Sequence, residues 1–252
     1  MEFFIEEQQR YAINAAVQIK GEIYGETYHI PFKDAFYMGE SVLKTTFIPQ
    51  RFTLLHDYIS YRLLDDYRHT LKKMGSDIYS EIYKEFESYQ VVFQRFEEYR
   101  KANYNDYLYD IYAAQINFKL VWSTFTILYR NRDLMRRFNL HVSDEIKALK
   151  MLDYPFYLKR DGVMKRCTYW PEWLRKGLLK REDGHCAICQ NNLTGVFANN
   201  AGIAIDHIVP LNLGGTNDPT NLQMLCGDCN SEKGGDKYTS SDKYAPFWLP
   251  NS

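Results

Sequence analysis

Cys186-Ala187-Ile188-Cys189, Asp206-His207-Ile208-Val209-Pro210, Gly214-Gly215 and Asn221-Leu222-Gln223-Met224-Leu225-Cys226-Gly227-Asp228-Cys229-Asn230 succeed one another in one short stretch, with Lys233-Gly234 just beyond. A Cys-x-x-Cys pair places two sulfurs on one side of a tight turn. Cys186, Cys189, Cys226 and Cys229 together make four thiolates, the ligand set of a closed structural zinc site. Thiolate is soft, so such a site takes Zn2+ in preference to Mg2+. The two pairs stand further apart than a minimal zinc ribbon needs, so something is inserted between the knuckles.

The insert reads as a hairpin, Gly195–Ala198 and Gly202–Ile205 around a turn at Asn199-Asn200. Its second strand runs on to Asp206-His207 and is stopped by Pro210. A flexible, turn-rich loop follows over Gly214–Pro219. Asn221–Leu225 then leads into the second knuckle, where a short helix starts near Cys226. On that helix Asn230 and Lys233 lie one turn apart on one face. Asp206 and His207 are neighbours, and strict alternation would aim them to opposite faces of a strand. The strand must twist or end there.

Taken together, these pieces resemble the HNH endonuclease family, the ββα-metal nucleases. The resemblance covers residues 172–236, about a quarter of the chain. It departs at one point: Asn230 stands where the family name calls for a final His, so the stretch is similar to the HNN variant, in which an amide oxygen replaces imidazole. The resemblance implies phosphodiester cleavage by an activated water. His207 is then the general base, a role suited to an ordinary imidazole. Asp206 and Asn230 hold one catalytic Mg2+ or Mn2+ at the scissile phosphate and leaving oxygen. Asn221 fixes the loop that orients His207. For Lys233 two readings stand side by side, contact with the phosphate or simple solvation. His185 is not expected to be a ligand, since four cysteines already close the zinc site.

Outward from this stretch, the 252 residues suffice for one large or two ordinary domains. The composition is globular, 45% hydrophobic and 25% charged. No apolar run is long enough to span a membrane, and Met1–Glu7 lacks the basic region and cleavage site of a signal peptide. A cytoplasmic location is expected, and with it metal binding rather than disulfides for the cysteine pairs. Cys167 is expected to be a lone buried or half-buried thiol. The net charge of −1 argues against a protein that coats nucleic acid, while leaving room for a local phosphate site.

Upstream, helical spacing dominates. A first helix is expected over residues 1–18, then a hairpin or irregular loop over Ile19–Ile30. Three helices follow, from Phe52 to Leu71, from Ser76 to about Tyr99 and from Tyr107 to Tyr129, and a shorter one, capped by Ser143, over Val142–Met151. Their faces are rich in Tyr and Phe, which serves core packing with hydroxyls at the surface or else a stacking or partner-binding face. Tyr154–Pro171 reads as a junction with a basic cluster, Lys159, Arg160, Lys165 and Arg166. It is either solvated or meets a phosphate backbone. After Gly235 a polar, then aromatic tail (Tyr244, Phe247, Trp248) is expected to pack back on the protein.

The expected architecture is α+β, with a mostly α-helical bundle domain over 1–165 followed by a small ββα-metal nuclease domain, stapled by zinc, over 166–252. The leading functional expectation is a metal-dependent endonuclease acting on DNA, of the kind used in bacterial anti-phage defence or restriction. The helical domain would position it by binding DNA, a protein partner or a second copy. RNA cleavage is one alternative. A non-enzymatic zinc module that binds nucleic acid is the other, and it would not need Asp206, His207 and Asn230 together.

Overall fold

The computed structural model describes residues 6–26, 40–99, 103–194 and 202–241. The chain is α+β, and it forms two compact units. The first takes residues up to His29 and Leu55–Leu128; the second takes Ile30–Leu54 and everything from Tyr129 onward. The second unit thus includes residues on both sides of position 165.

The first unit is helical. Helix α1 spans Glu6–Tyr24, and α3, after the short α2 (Glu40–Phe47) that belongs to the second unit, spans Leu54–Met74. Helix α4 covers Tyr79–Ser88, and α5 (Tyr104–Ile111) runs through a π-helical turn at Tyr112–Ile116 into α6 (Asn117–Tyr129). Ala12, Ala15, Ala16, Ile19 and Ile23 form one buried face of α1, and this is why the helix runs past the position where a hairpin is expected to begin. Its last turn also carries Glu22. Arg62 donates to both Glu22 oxygens (2.9 and 3.0 Å) and Tyr58 donates to one (3.1 Å). Gly25, at φ +72°, ends the helix. The expected loop beyond it lies largely outside the described residues.

Helix α4 stops at Ser88, well short of the expected Tyr99. Gln90 takes φ +57°, and the chain continues without helix. Tyrosine hydroxyls hold that segment: Gln94 N donates to Tyr107, Phe96 N donates to Tyr83, and Tyr104 donates to Gln94 O. Here the tyrosines serve packing, each with a polar tip bonded to backbone.

In the second unit, helix α7 spans Arg132–Lys147. It is longer than the expected Val142–Met151 and begins ten residues earlier. Asn131, not Ser143, is its cap, accepting from Leu134 N at 2.9 Å; Ser143 is buried mid-helix, its hydroxyl donating to Leu140 O. Leu134, Met135, Phe138, Val142 and Ile146 make its buried stripe. Strands β1 (Leu158–Arg160) and β2 (Val163–Met164) form a hairpin where a junction is expected. Helix α8 (Glu172–Arg181) precedes the first knuckle.

The expected hairpin partner of the Asp206-His207 strand, Gly195–Ala198, lies outside the described residues. The strand β3 (Ile203–His207) pairs antiparallel with β4 (Leu222–Cys226), so that Asp206 faces Gln223 and His207 faces Leu222. Helix α9 (Gly227–Lys233) follows at once. Asn221–Leu225 is therefore not a connector but runs into a fully buried strand, and β3, β4 and α9 make the ββα element. Leu174, Leu178, Ala187, Leu193, Leu222 and Leu225 form its core together with cysteines. Beside it a buried carboxylate, Glu182, meets two guanidinium groups, Arg132 at 2.6 Å and Arg181 at 2.6 Å.

Candidate functional site

The four cysteine sulfurs lie within 4.8 Å of one another, and Cys189 and Cys226 are 3.7 Å apart. A zinc tetrahedron with bonds of about 2.3 Å has edges of about 3.8 Å, so the donor set fits the ion. Cys226 is both a member of this cluster and the cap of α9, its sulfur accepting from Cys229 N. Cys226 N in turn points at the Cys186 sulfur. His185 stands apart, its ring bonded to Asp183 O. Cys167 is half-buried and free.

The ββα element carries the remaining residues of the pattern. Strand β3 ends at His207, which is how two neighbours come to share one site: Asp206 and His207 both line a cleft of about 250 Å³. Lys159 and Arg166, brought by the β1–β2 hairpin and the segment after it, line the same cleft, as do Pro210, Asn212 and the Gly234-Gly235 backbone. Two basic residues of the expected junction are thus placed beside the site, and both are solvent-exposed.

His207 is only 2% exposed. Its Nε2 lies 3.1 Å from Asn217 Oδ1, and its Nδ1 has no hydrogen-bond partner among the described residues. The Trp170 ring stands edge-on to it, 5.9 Å away. Burial pulls the imidazole down to about 4; Arg166 and Lys233 act in the same direction, Asn217 and Asp206 against it. The ring is neutral at physiological pH, with one nitrogen open as an acceptor.

Asp206 accepts at Oδ2 from Lys233 Nζ (3.0 Å) and from Gln223 Nε2 (3.1 Å). Lys233 also donates to His207 O at 2.8 Å and is 5% exposed. It is therefore not a solvated lysine. The paired carboxylate and carbonyl make it possible to bury an ammonium there. Asn230 sits one turn before Lys233 on α9 and is half-buried; it is not among the residues lining the cleft.

Asn221 is fully buried, accepting from Val209 N and donating to Val209 O and Thr216 O, all at 2.9 Å. Ile208 N adds a bond to Asn221 O at 2.7 Å. These bonds tie the end of β3 to the start of β4. The loop between them is not the open, solvated turn its composition suggests: residues 214–220 are all buried. Gly214 adopts φ +84°, and a Cβ on Gly215 would fall 1.8 Å from Val209 O. Asn217, inside that loop, is not legible as a site residue, because nothing in Gly-Gly-Thr-Asn-Asp-Pro distinguishes a buried polar anchor from turn chemistry. The hairpin that brings Lys159 has a readable signal, the Asp161-Gly162 pair.

The HNH endonuclease family model matches residues 186–236. That segment is an HNH domain. No curated protein and no solved structure matches the chain. An HNH domain implies nuclease chemistry with a divalent metal and a nucleic-acid substrate, and Asp206 and His207 lie within its bounds. Among the described residues, no helix is long and apolar enough to cross a membrane.

Proposed function

We propose that the protein is a metal-dependent endonuclease that hydrolyses phosphodiester bonds in DNA, with the Asp206–His207 cleft as its active site. The observation that carries this reading is His207, whose buried Nδ1 has no hydrogen-bond partner among the described residues and which lines one cleft together with Asp206, Lys159 and Arg166. A neutral imidazole with a free lone pair can take a proton from water. The resulting hydroxide attacks phosphorus, and the bond to the leaving oxygen breaks. Lys159 and Arg166 suit the phosphate oxygens of the backbone.

Asp206, and Asn230 although it does not line the cleft, would supply hard oxygen donors of the kind that hold Mg2+ or Mn2+ rather than zinc. When bound, such an ion supplies charge neutralisation at the phosphate and the leaving oxygen. Lys233 holds the Asp206 carboxylate in place, and Asn221 holds the loop. The four-cysteine zinc has no part in the chemistry and staples the domain. We place the helical unit as the part that positions the nuclease through DNA, a partner or a second copy. By analogy of organisation alone, the whole is a cytoplasmic defence or restriction effector.

Plasmid cleavage by the purified protein with magnesium, manganese or EDTA tests the reading, with His207→Ala alongside. Metal-dependent nicking or linearisation, lost by at least about 10²-fold in the variant, is expected. Cleavage of RNA but not DNA would move the substrate assignment. Cleavage that survives in His207→Ala would overturn the site.

A further inference from the structure

Asn217 is fully buried, and its backbone N–H and both side-chain polar atoms are engaged. Its backbone N–H donates to Thr46 O (3.1 Å). Its side-chain Nδ2 donates to Phe47 O and to Lys165 O, both at 2.9 Å. Its Oδ1 accepts from Cys167 N at 3.2 Å and faces His207 Nε2 at 3.1 Å. This network leaves the amide only one orientation. Turned over, it would set its oxygen against two carbonyl oxygens and its NH2 against a backbone N–H. With Oδ1 fixed as an acceptor, the ring nitrogen facing it must carry the hydrogen. The lone pair is thereby confined to Nδ1, the nitrogen with no other partner among the described residues.

We propose that Asn217 is a positioning residue, which locks His207 in the Nε2–H tautomer and so leaves Nδ1 as the nitrogen that acts as base. The inference rests on the nuclease reading for its consequence in catalysis, but the tautomer itself does not depend on it. Thr46 and Phe47 are the last residues of α2, whose terminal carbonyls lack partners within the helix. Asn217 satisfies two of them with its backbone and side-chain N–H groups, and the Phe47 ring packs on Phe156 and Tyr157 (5.4 and 5.3 Å). The end of α2 and the Lys165–Cys167 segment therefore together set the orientation of the base. Neither belongs to the ββα element.

The test is the nitrogen spectrum of His207 in full-length, zinc-loaded protein labelled with 15N-histidine, at mildly alkaline pH. Asn217→Ala and Asn217→Asp serve as variants. Both lose the side-chain donor bonds, but only the alanine loses the acceptor. The wild type is expected to show a protonated Nε2 and an unprotonated Nδ1. The aspartate variant should keep that pattern, and the alanine variant should show a mixture. In plasmid cleavage the alanine variant should lose about 10²-fold in kcat with little change in KM, and the aspartate variant should recover part of the loss. Zinc content reports whether each variant has folded. A wild-type His207 protonated at Nδ1 would overturn the proposal without any variant, as would an alanine variant with an unchanged tautomer. The expected tautomers in a protein that cuts no nucleic acid would instead leave Asn217 assigned and overturn the nuclease reading.

Discussion

Glu85 sits on α4 at a cavity of about 260 Å³ in the first unit, among Tyr11, Tyr67, Asp66 and Tyr112. Burial alone raises its carboxyl from 4.5 to about 7. A carboxyl raised on folding contributes stability that is fully present below its unfolded value and is lost as pH rises through the folded one. Between those two values the native state binds the extra proton. Each tenfold change in proton affinity is worth about 1.4 kcal/mol, so Glu85→Gln should stabilise the protein by on the order of 3 kcal/mol near pH 8 and change little near pH 4. Urea unfolding at the two pH values checks this. Equal effects at both would show that the carboxyl is not desolvated. His56 has the opposite sign. Burial against Trp122 and Phe125 pulls its imidazole down to about 3, so it opposes folding as pH falls below about 6.5.

At the scale of elements, the loop from Gly214 to Asn221 governs the site more than either strand does. It buries every residue it contains, and it can do so only where no side chain intrudes on Val209. Gly215→Ala would drive a methyl into a backbone oxygen, which cannot move without releasing the bonds of Asn221 to Val209. The expected cost is about 3 kcal/mol or more in stability, with cleavage lost in proportion to the displacement of His207. Chemical denaturation and plasmid cleavage measure the two. An alanine variant as stable as the wild type would mean that the strand ends are held by something other than this loop. The glycine pair is legible as a turn signal. Its burial is not, because Gly, Thr, Asn and Asp are equally common in solvated loops.

At the scale of the molecule, the second unit joins a helix and loop from residues 40–54 to everything after Tyr129. Its ββα element has a small core, and Cys186, Cys226 and Cys229 are themselves among the buried positions. An element of this size is expected to depend on a metal held by the four cysteines. Strong chelation, or Cys229→Ser, should raise hydrogen exchange across β4 and α9 by orders of magnitude and release about one zinc per chain. The amides of α5 and α6 should stay protected. Unchanged protection of β4 after metal loss would show that the cysteines are not its staple.

By itself the sequence determined the α+β class, the four-sulfur cluster and the joint presence of Asp206, His207, Asn221 and Asn230. Each rests on local spacing: two-residue gaps between cysteines, helical periods, a proline that ends a strand. Only the tertiary structure decided that β3 pairs with β4, since antiparallel partners need not be neighbours in the chain and both strands read as short apolar runs. It also decided that α7 begins at Arg132, because an arginine paired with buried Glu182 looks in sequence like a solvated charge. The same holds for Lys233, buried through its bonds to Asp206 and His207 O, and for Asn217. What a polar side chain does depends on which partners folding brings within about 3 Å, and for these residues the partners lie ten or more positions away in the chain.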